Sequence, residues 1–363
     1  MAIDLGTSGP KVALVSVHGR VLACRVGTIT THILPGGGAE QDPEEWWTAV
    51  KTTSCQLLAD HPHAVANIKG IGCTSQWSGT VAVDGNGHHL MNAIIWMDSR
   101  GAPYAQAITL HWLTDNRDID HIHYDPTLLQ YTTMDRDKLP DLKRTVDILG
   151  PLQAEAAQEL GLPPHIPVIM GTPDIQSAAI GSGAVRDYEP HLYIGTSSWL
   201  TCHVPFKKTD LFHNMASLPS AIPGKYFIAN EQETAGACLT FLRNNILNAN
   251  DALACDPPVG DMYAVFDEMV AQAPVGSEKV IFTPWLHGER TPVEDHLVRA
   301  GFYNLSLRTT RAHLIRAVFE GVAYNSRWLL RYVEKFAKRP LNNIHMIGGG
   351  ANSAIWWQIC ARP

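Results

Sequence analysis

Two tripeptides, Gly6-Thr7-Ser8 and Gly195-Thr196-Ser197, each follow a short apolar run that reads as a strand. Phosphate oxygens are held by backbone N–H groups that converge only where side chains stay clear, so a strand running into Gly-Thr-Ser offers close approach and two hydroxyls. One such turn alone reads more readily as an ordinary hairpin. Two copies in matching contexts point to phosphate binding at Gly6, Thr7, Ser8, Gly195 and Thr196. Asp4, just before the first loop, could hold Mg²⁺, which takes carboxylates while keeping part of its water shell; it could equally cap a turn. Lys11 could neutralise a transferring phosphoryl group or stand solvated on its strand. Gly348-Gly349-Gly350, with Asn352 just beyond, ends another apolar run and could lie flat against a planar base, since glycine lets a ligand touch the main chain. A flexible loop is the alternative there.

These residues need strands to hold them, and the chain supplies the pattern twice. The first strand and Gly6-Thr7-Ser8 lead into a second apolar run from Val12. A third strand is expected over residues 21–30. Asp42-Pro43 before Glu44 and Glu45 reads as a helix start, with Trp47, Val50, Leu57 and Leu58 on one face. Strands are expected again over residues 68–74 and 79–83, the latter closed by a turn at Asp84 to Gly87. A comparable series restarts with a strand from Val168 to Asp174, a small-residue helix from Ser177, and the second Gly-Thr-Ser. A long helix over residues 310–336 precedes the glycine triplet. An α/β chain of two related domains follows, 1–164 and 165–363, divided where Gly161, Pro163 and Pro164 cluster.

Composition agrees with that size: 363 residues, 45% hydrophobic and 17% charged, bury more core than one domain usually holds. A net charge of −7 without a basic run argues against nucleic acid as a partner. Seven scattered cysteines suit a reducing compartment. No leader precedes Met1 and no apolar run reaches the roughly 18 residues of a membrane helix. A cytoplasmic protein with no membrane partner is expected; a homodimer is left open.

Taken in order, Asp4-x-Gly6-Thr7-Ser8, Trp96-Met97-Asp98-Ser99-Arg100, Gly171-x-x-Asp174, Gly195-Thr196-Ser197, Gly288-Glu289-Arg290-x-Pro292, Phe319-Glu320-Gly321 and Gly348-Gly349-Gly350 resemble the FGGY carbohydrate kinases, nearest the xylulokinase-like branch. The resemblance spans nearly the whole chain. It implies two ribonuclease-H-like domains of the actin and hexokinase type flanking a catalytic cleft, an N-terminal sugar-binding domain and a C-terminal ATP-binding domain. It also implies transfer of the γ-phosphoryl group of MgATP to a hydroxyl of a ketose or polyol, with xylulose as the lean. Asp174 becomes the base that takes the sugar hydroxyl's proton, a task a positioned carboxylate can perform because a free hydroxyl is a poor nucleophile; locally it could also cap the helix that follows it. Thr7, Ser8 and Lys11 would face the transferring phosphate, Gly195 and Thr196 the β and γ groups, and Gly349, Gly350 and Asn352 the nucleoside. A non-catalytic sugar- or nucleotide-binding member is the alternative, which the presence of Asp4, Lys11 and Asp174 opposes.

Sugar contacts are expected from Gln76, Trp77, Ser78, Trp96 and Asp98, with Asp174, because indole faces pack on C–H surfaces while amides and carboxylates pair with hydroxyls. Either tryptophan could instead be a core aromatic. Gln76-Trp77-Ser78-Gly79 departs from the Gln-Met-His-Gly of xylulokinases and from the Arg-Glu of glycerol kinases. Glu289 and Arg290 are expected to pair with each other as a structural brace. The run from Asp118 through His121 and His123 to Asp125 is expected to be a solvated loop, not a metal site. Two departures concern length: the interval from Asp98 to Asp174 is several tens of positions short, with the join near residues 104–108, and the chain stops after the glycine loop where relatives continue.

Overall fold

The computed structural model describes residues 1–98, 100, 113–132, 134–247, 251 and 260–362. The chain divides into two compact units, Met1–Ser177 and Ala178–Pro363.

The first unit opens with an antiparallel meander of β1 (Ala2–Gly6), β2 (Gly9–Val15) and β3 (Val21–Val26). Strands β4 (His32–Leu34) and β5 (Gly38–Gln41) lead into α1 (Pro43–Asp60), and β6 (Ile71–Ser75) then returns parallel to β1. Next come β7 (Ala93–Ile94) paired with β5, the hairpin of β8 (Thr114–Asp115) and β9 (His123–Tyr124), and α2 (Pro126–Gln130). The sheet is completed by β10 (Ile148–Pro151) and, after α3 (Ala154–Leu160), by β11 (Pro167–Pro173), giving the order β10-β11-β6-β1-β2-β3. Alternation along β1 and β2 sends Ile3, Val12 and Leu14 to one face, where they meet Val50, Leu57 and Leu58 of α1 and Leu160, Leu162 and Ile166 around α3. Fully burying each such side chain is worth about 1.5–3 kcal/mol. Helix α1 starts where its sequence says: Asp42 accepts a hydrogen bond from the Glu44 amide at 2.9 Å, and Pro43 takes the first helical position.

Helix α4 (Asp174–Gly181) leaves the end of β11, and the second unit repeats the frame. An antiparallel hairpin, β12 (Pro190–Ile194) and β13 (Ser198–Val204), is extended by β14 (Thr209–Asp210), β15 (Met215–Pro219) and β16 (Tyr226–Ala229). After α5 (Gly236–Leu242), α6 (Met262–Gln272), the two-stranded β17 (Ile281–Thr283) and β18 (Gly301–Tyr303), and α7 (Arg311–Ala337), strand β19 (His345–Ile347) pairs parallel with β12. Helix α8 (Ala354–Ala361) follows. In each unit a hairpin comes first, a long helix crosses, and a parallel strand adds beside the first strand. That is the ribonuclease-H-like order the family resemblance implies, and each Gly-Thr-Ser turn sits at a hairpin tip.

The Phe319-Glu320-Gly321 motif is structural. Arg316 and Glu320 of α7 form a buried pair at 2.7 Å; the arginine also donates to the carbonyls of Val270 and Ala273, and the carboxylate accepts from Gly276 N and Ser277 Oγ. Such a pair is tolerated inside only when its remaining positions are satisfied like this. A Cβ on Gly321 would lie 2.3 Å from the Phe282 carbonyl, so glycine lets α7 press on β17.

Several expectations need correcting. The strand over 167–173 belongs to the first sheet, paired with β6, so the unit boundary falls at 177/178 instead of 164/165. The small-residue helix starts at Asp174 itself. The third strand stops at Val26. Residues 79–83 form only isolated bridges, Thr80 with Ile94 and Val83 with His89, although the turn closing on Asp84 is present. The join near residues 104–108 lies outside the described residues. Among the described residues no helix is long and apolar enough to cross a membrane.

Gly171 sits in β11 at φ +89°, and a Cβ there would lie 2.2 Å from the Cys73 carbonyl. Gly171→Ala is expected to cost about 2–4 kcal/mol, since backbone strain and a main-chain clash combine. Urea denaturation measures it; a midpoint equal to wild type would mean that β11 and β6 separate without penalty.

Candidate active site

Because β1, β6 and β11 run parallel, their C-terminal ends lie side by side, and the hairpin tip joins them. The register sets Lys11 opposite Asp4, Asp4 opposite Thr74, and Thr74 opposite Thr172, a single row across four strands. Directly opposed residues share a face. Lys11 Nζ lies 2.8 Å from Asp4 Oδ2, a half-exposed pair. The other oxygen, Asp4 Oδ1, is buried and accepts from nothing among the described residues. A carboxylate oxygen only accepts, so a hydrogen-bond donor such as water, or a cation, is what it can still take. Hard oxygen donors of this kind suit Mg²⁺.

Asp174 stands at the head of α4, its Oδ1 accepting from the Ile175 amide at 2.8 Å. Burial pushes its carboxyl above the ordinary range; the Ile175 N–H opposes that, nearby Asp4 adds to it, and Lys11 lowers it. Asp4, Lys11 and Asp174 are therefore near enough to feel one another's charge.

Thr7 is not placed as expected. Its hydroxyl donates to Gln76 Oε1 at 3.0 Å and accepts from the Trp96 indole at 2.8 Å. The hydroxyl proton is already committed, so the loop can offer a phosphate the Thr7 backbone amide and the exposed Ser8 but not the Thr7 O–H. Gln76 is buried and donates to Gln41 Oε1 at 2.8 Å; Gln41 Nε2 donates to the Thr7 carbonyl at 2.7 Å and to Thr31 Oγ1 at 2.8 Å. Trp46 Nε1 donates to Gln41 Oε1 at 2.9 Å. Sequence reasoning missed Gln41 and Trp46. A glutamine beside a helix cap carries no signal of burial, because glutamine is mostly exposed.

Trp96 is 40% exposed, which removes the core-aromatic reading for it. Trp77 is half-buried and lines, with Gln76, Ser78, Thr74, Thr172 and Met134, a groove of about 790 Å³. Ser78 takes φ +61°, a region costly for a non-glycine residue and frequent at ligand sites. Asp98 is fastened: its carboxylate accepts from the Ala39 amide at 3.0 Å and from Arg100 Nε at 2.9 Å, and Arg100 also reaches Glu40 at 2.6 Å. The Arg100 bond, chiefly, holds the Asp98 carboxyl down at about 2.

In the second unit, Gly195 is required by Tyr193, whose ring, stacked on Trp199 at 4.0 Å, would lie within 2.5 Å of an added Cβ. The carbonyls of Gly195 and Thr196 accept from Gly236 N at 2.7 Å and Ala235 N at 2.9 Å, tying the loop to the head of α5. Thr196 stays exposed. The glycine triplet divides by role. Gly348, at φ +93°, and Gly350 both press on Ile194, where a Cβ would meet atoms at 2.4 and 2.8 Å; Gly349 faces open space and Asn352 is exposed. Packing explains the outer glycines, and only Gly349 is spare for a ligand.

Glu289 and Arg290 do not pair with each other through their side chains. Arg290 is clasped by Glu231 at 2.6 Å and Glu233 at 2.5 Å, whereas Glu289 accepts from the amides of Glu233 and Arg290 and from Asn325 Nδ2. The two acids at alternate positions, 231 and 233, were the available signal: both reach the Arg290 guanidinium. Asp118 to Asp125 is part of an exposed hairpin with His121 on Asp118 at 2.8 Å, and among the described residues no His, Cys, Asp and Glu group is arranged to hold a metal.

Comparison with known proteins agrees with this geometry. The N-terminal domain model of the FGGY family of carbohydrate kinases matches residues 1–117 and 113–181, and the C-terminal domain model matches 192–362. A xylulose kinase of Staphylococcus epidermidis is 26% identical, covering 99% of this chain and 82% of that relative. A gluconokinase of Bacillus subtilis is 24% identical over 99% of this chain and 81% of its own length. The crystal structure of a gluconate kinase from Lactobacillus acidophilus superposes with TM-score 0.82 at 21% identity, covering 99% of this chain and 82% of that one, which shows the fold. The alignment with the S. epidermidis enzyme runs to 419 positions against the 363 residues here, so that relative carries residues without a counterpart in this chain. The N-terminal match breaks at 113–117, within the interval between Asp98 and Asp174 expected to be short. With matches to both domain models along its length and a duplicated ribonuclease-H-like frame, the chain belongs to the FGGY family of carbohydrate kinases and is a sugar kinase.

Proposed function

We propose that this chain transfers the γ-phosphoryl group of MgATP to a hydroxyl of a small ketose or polyol, with xylulose the first candidate, and that Asp174 is the general base. The single observation that carries the reading is the convergence of Asp4, Lys11 and Asp174 at the ends of β1, β2 and β11. Asp174 accepts the proton of the attacking hydroxyl as the O–P bond forms and the bond to the ADP oxygen breaks. Lys11 faces the charge that spreads over the phosphoryl oxygens, with the Gly6–Ser8 amides beside it. Asp4 Oδ1 is the place for Mg²⁺, which would supply charge neutralisation on the phosphate chain. Gly195, Thr196, Gly349 and Asn352 are assigned to the nucleotide. Gln76, Trp77, Ser78 and Trp96 are assigned to the sugar, the indoles against C–H surfaces. Asp98 is assigned to hold Arg100 and β5 behind them. The relatives split between xylulose and gluconate kinases, which is why the sugar is named as a candidate to assay. A binding-only reading has less support, because binding alone needs no base at Asp174.

Asp174→Ala is expected to lower kcat by about 10³-fold or more while the ATP dissociation constant moves less than threefold. A coupled ADP-release assay over pentuloses, hexuloses, polyols and gluconate, with calorimetric ATP titration, measures both. Turnover undiminished in that variant would remove Asp174 as base. The pH dependence has a definite sign. The base works ionised, so kcat falls as pH drops through its pKa; burial raises that pKa, so the acid limb lies above about 3.9, the ordinary aspartate value. A limb at or below that value would contradict a buried base. Trp77→Ala is expected to raise the sugar KM by about tenfold, leaving the ATP KM within twofold; equal effects on both would take Trp77 out of the sugar pocket.

A further inference from the structure

We propose that Gln41 is a positioning residue whose amide sets the direction of a hydrogen-bond chain joining the phosphate loop to the sugar-side residues. This rests on the sugar-kinase reading above. Gln41 is fully buried, and all four positions of its amide are used: Nε2 on the Thr7 carbonyl and Thr31 Oγ1, Oε1 under Trp46 Nε1 and Gln76 Nε2. An indole N–H only donates and a carbonyl only accepts. Trp46 therefore fixes which end of Gln41 is oxygen, and the Thr7 carbonyl independently requires the other end to be nitrogen.

The sense then propagates. With Gln41 Oε1 accepting, Gln76 must turn its NH₂ toward it and its own Oε1 toward Thr7. The Thr7 hydroxyl must donate to that oxygen, leaving its lone pairs outward, where the second donor-only group, the Trp96 indole, meets one of them. Two indoles at opposite ends thus admit one arrangement of every proton between them. Thr7 is left as an acceptor. A ligand atom reaching its remaining lone pair must be a donor, which a sugar hydroxyl is and an ionised phosphate oxygen is not. Gln41 touches no reacting atom; it acts through Thr7 and Gln76.

The test compares Gln41→Leu and Gln41→Glu with Leu58→Ala, a core change in the same unit away from the chain of bonds. Leucine keeps the volume and removes all four bonds; glutamate keeps the acceptor toward Trp46 and loses both donors. Both are expected to lower kcat/KM for the sugar by about 10- to 100-fold, the effect of a shift of the order of 1 Å near reacting groups, with the ATP KM within twofold. Leu58→Ala, assayed below its melting temperature, keeps wild-type Michaelis constants. Independently of turnover, the Trp96 indole N–H resonance, identified by its loss in Trp96→Phe, is expected to move in Gln41→Leu and stay in Leu58→Ala, because the Gln41 and Trp96 side chains are linked through Gln76 and Thr7. A Trp96 resonance unmoved by Gln41→Leu would overturn the proposal, as would Gln41 variants with the same kinetics as Leu58→Ala. If the wild type phosphorylates no sugar tested, the functional reading falls while the resonance still decides the chain of bonds.

Discussion

Parallel pairing of β1 with β6, and of β6 with β11, is the constraint from which the site of the first unit follows. Parallel neighbours bring like ends together, so residues that terminate distant stretches of sequence gather on one edge. The antiparallel partner β2 adds the hairpin tip at that edge and brings Lys11 back beside Asp4. The Asp174 carboxylate just past β11, the Asp4 carboxylate near the end of β1 and the glycine turn between β1 and β2 need no long loops to meet. Two close approaches are relieved by glycine: Gly171 lets β11 close on Cys73, and Gly9, at φ +140°, lets the hairpin tip pack on Gly27, whose carbonyl oxygen would lie 2.2 Å from a Cβ added at position 9.

The second unit uses the same frame with different fillings, which separates what the frame dictates from what chemistry adds. Both hairpin tips are Gly-Thr-Ser, yet the first turns its Thr7 carbonyl onto the buried Gln41 amide, and the second turns its carbonyls onto the head of α5. Where the first unit follows its parallel strand β6 with Gln76-Trp77-Ser78, the second follows β19 with Gly348-Gly349-Gly350. Polar and aromatic groups give the one a surface that can match hydroxyls. Glycines pressed on Ile194 give the other a flat main-chain surface. Duplication supplied the geometry, and side-chain choice at equivalent positions divided the labour.

What was legible in the sequence was whatever local physics writes into a short window. Asp42-Pro43 announces α1, the apolar face of Val50, Leu57 and Leu58 announces its packing, and Gly-Thr-Ser marks both hairpins. The domain boundary was misplaced because Gly161, Pro163 and Pro164 signal a turn, and a turn within a domain looks like a turn between domains; only the pairing of β11 with β6 decides. Arg290 was matched to its neighbour Glu289, yet adjacent residues on extended chain point apart, and its partners are Glu231 and Glu233. The hydrogen-bond chain through Gln41 was invisible because it joins positions 7, 31, 41, 46, 76 and 96, each unremarkable alone. Polar satisfaction is a property of the folded interior, and a sequence window does not contain it.

The two carboxylates near Lys11 are differentiated by placement, and the family chemistry needs that difference. Lys11 sits on Asp4 at 2.8 Å, and the other oxygen of Asp4 is buried with no partner among the described residues. Asp174 has one backbone N–H and a buried setting that raises its proton affinity. Partial dehydration makes a carboxylate a better proton acceptor. Asp4 at mid-row, opposite a lysine, and Asp174 at a strand end against a helix head are thus suited to unlike tasks by position alone.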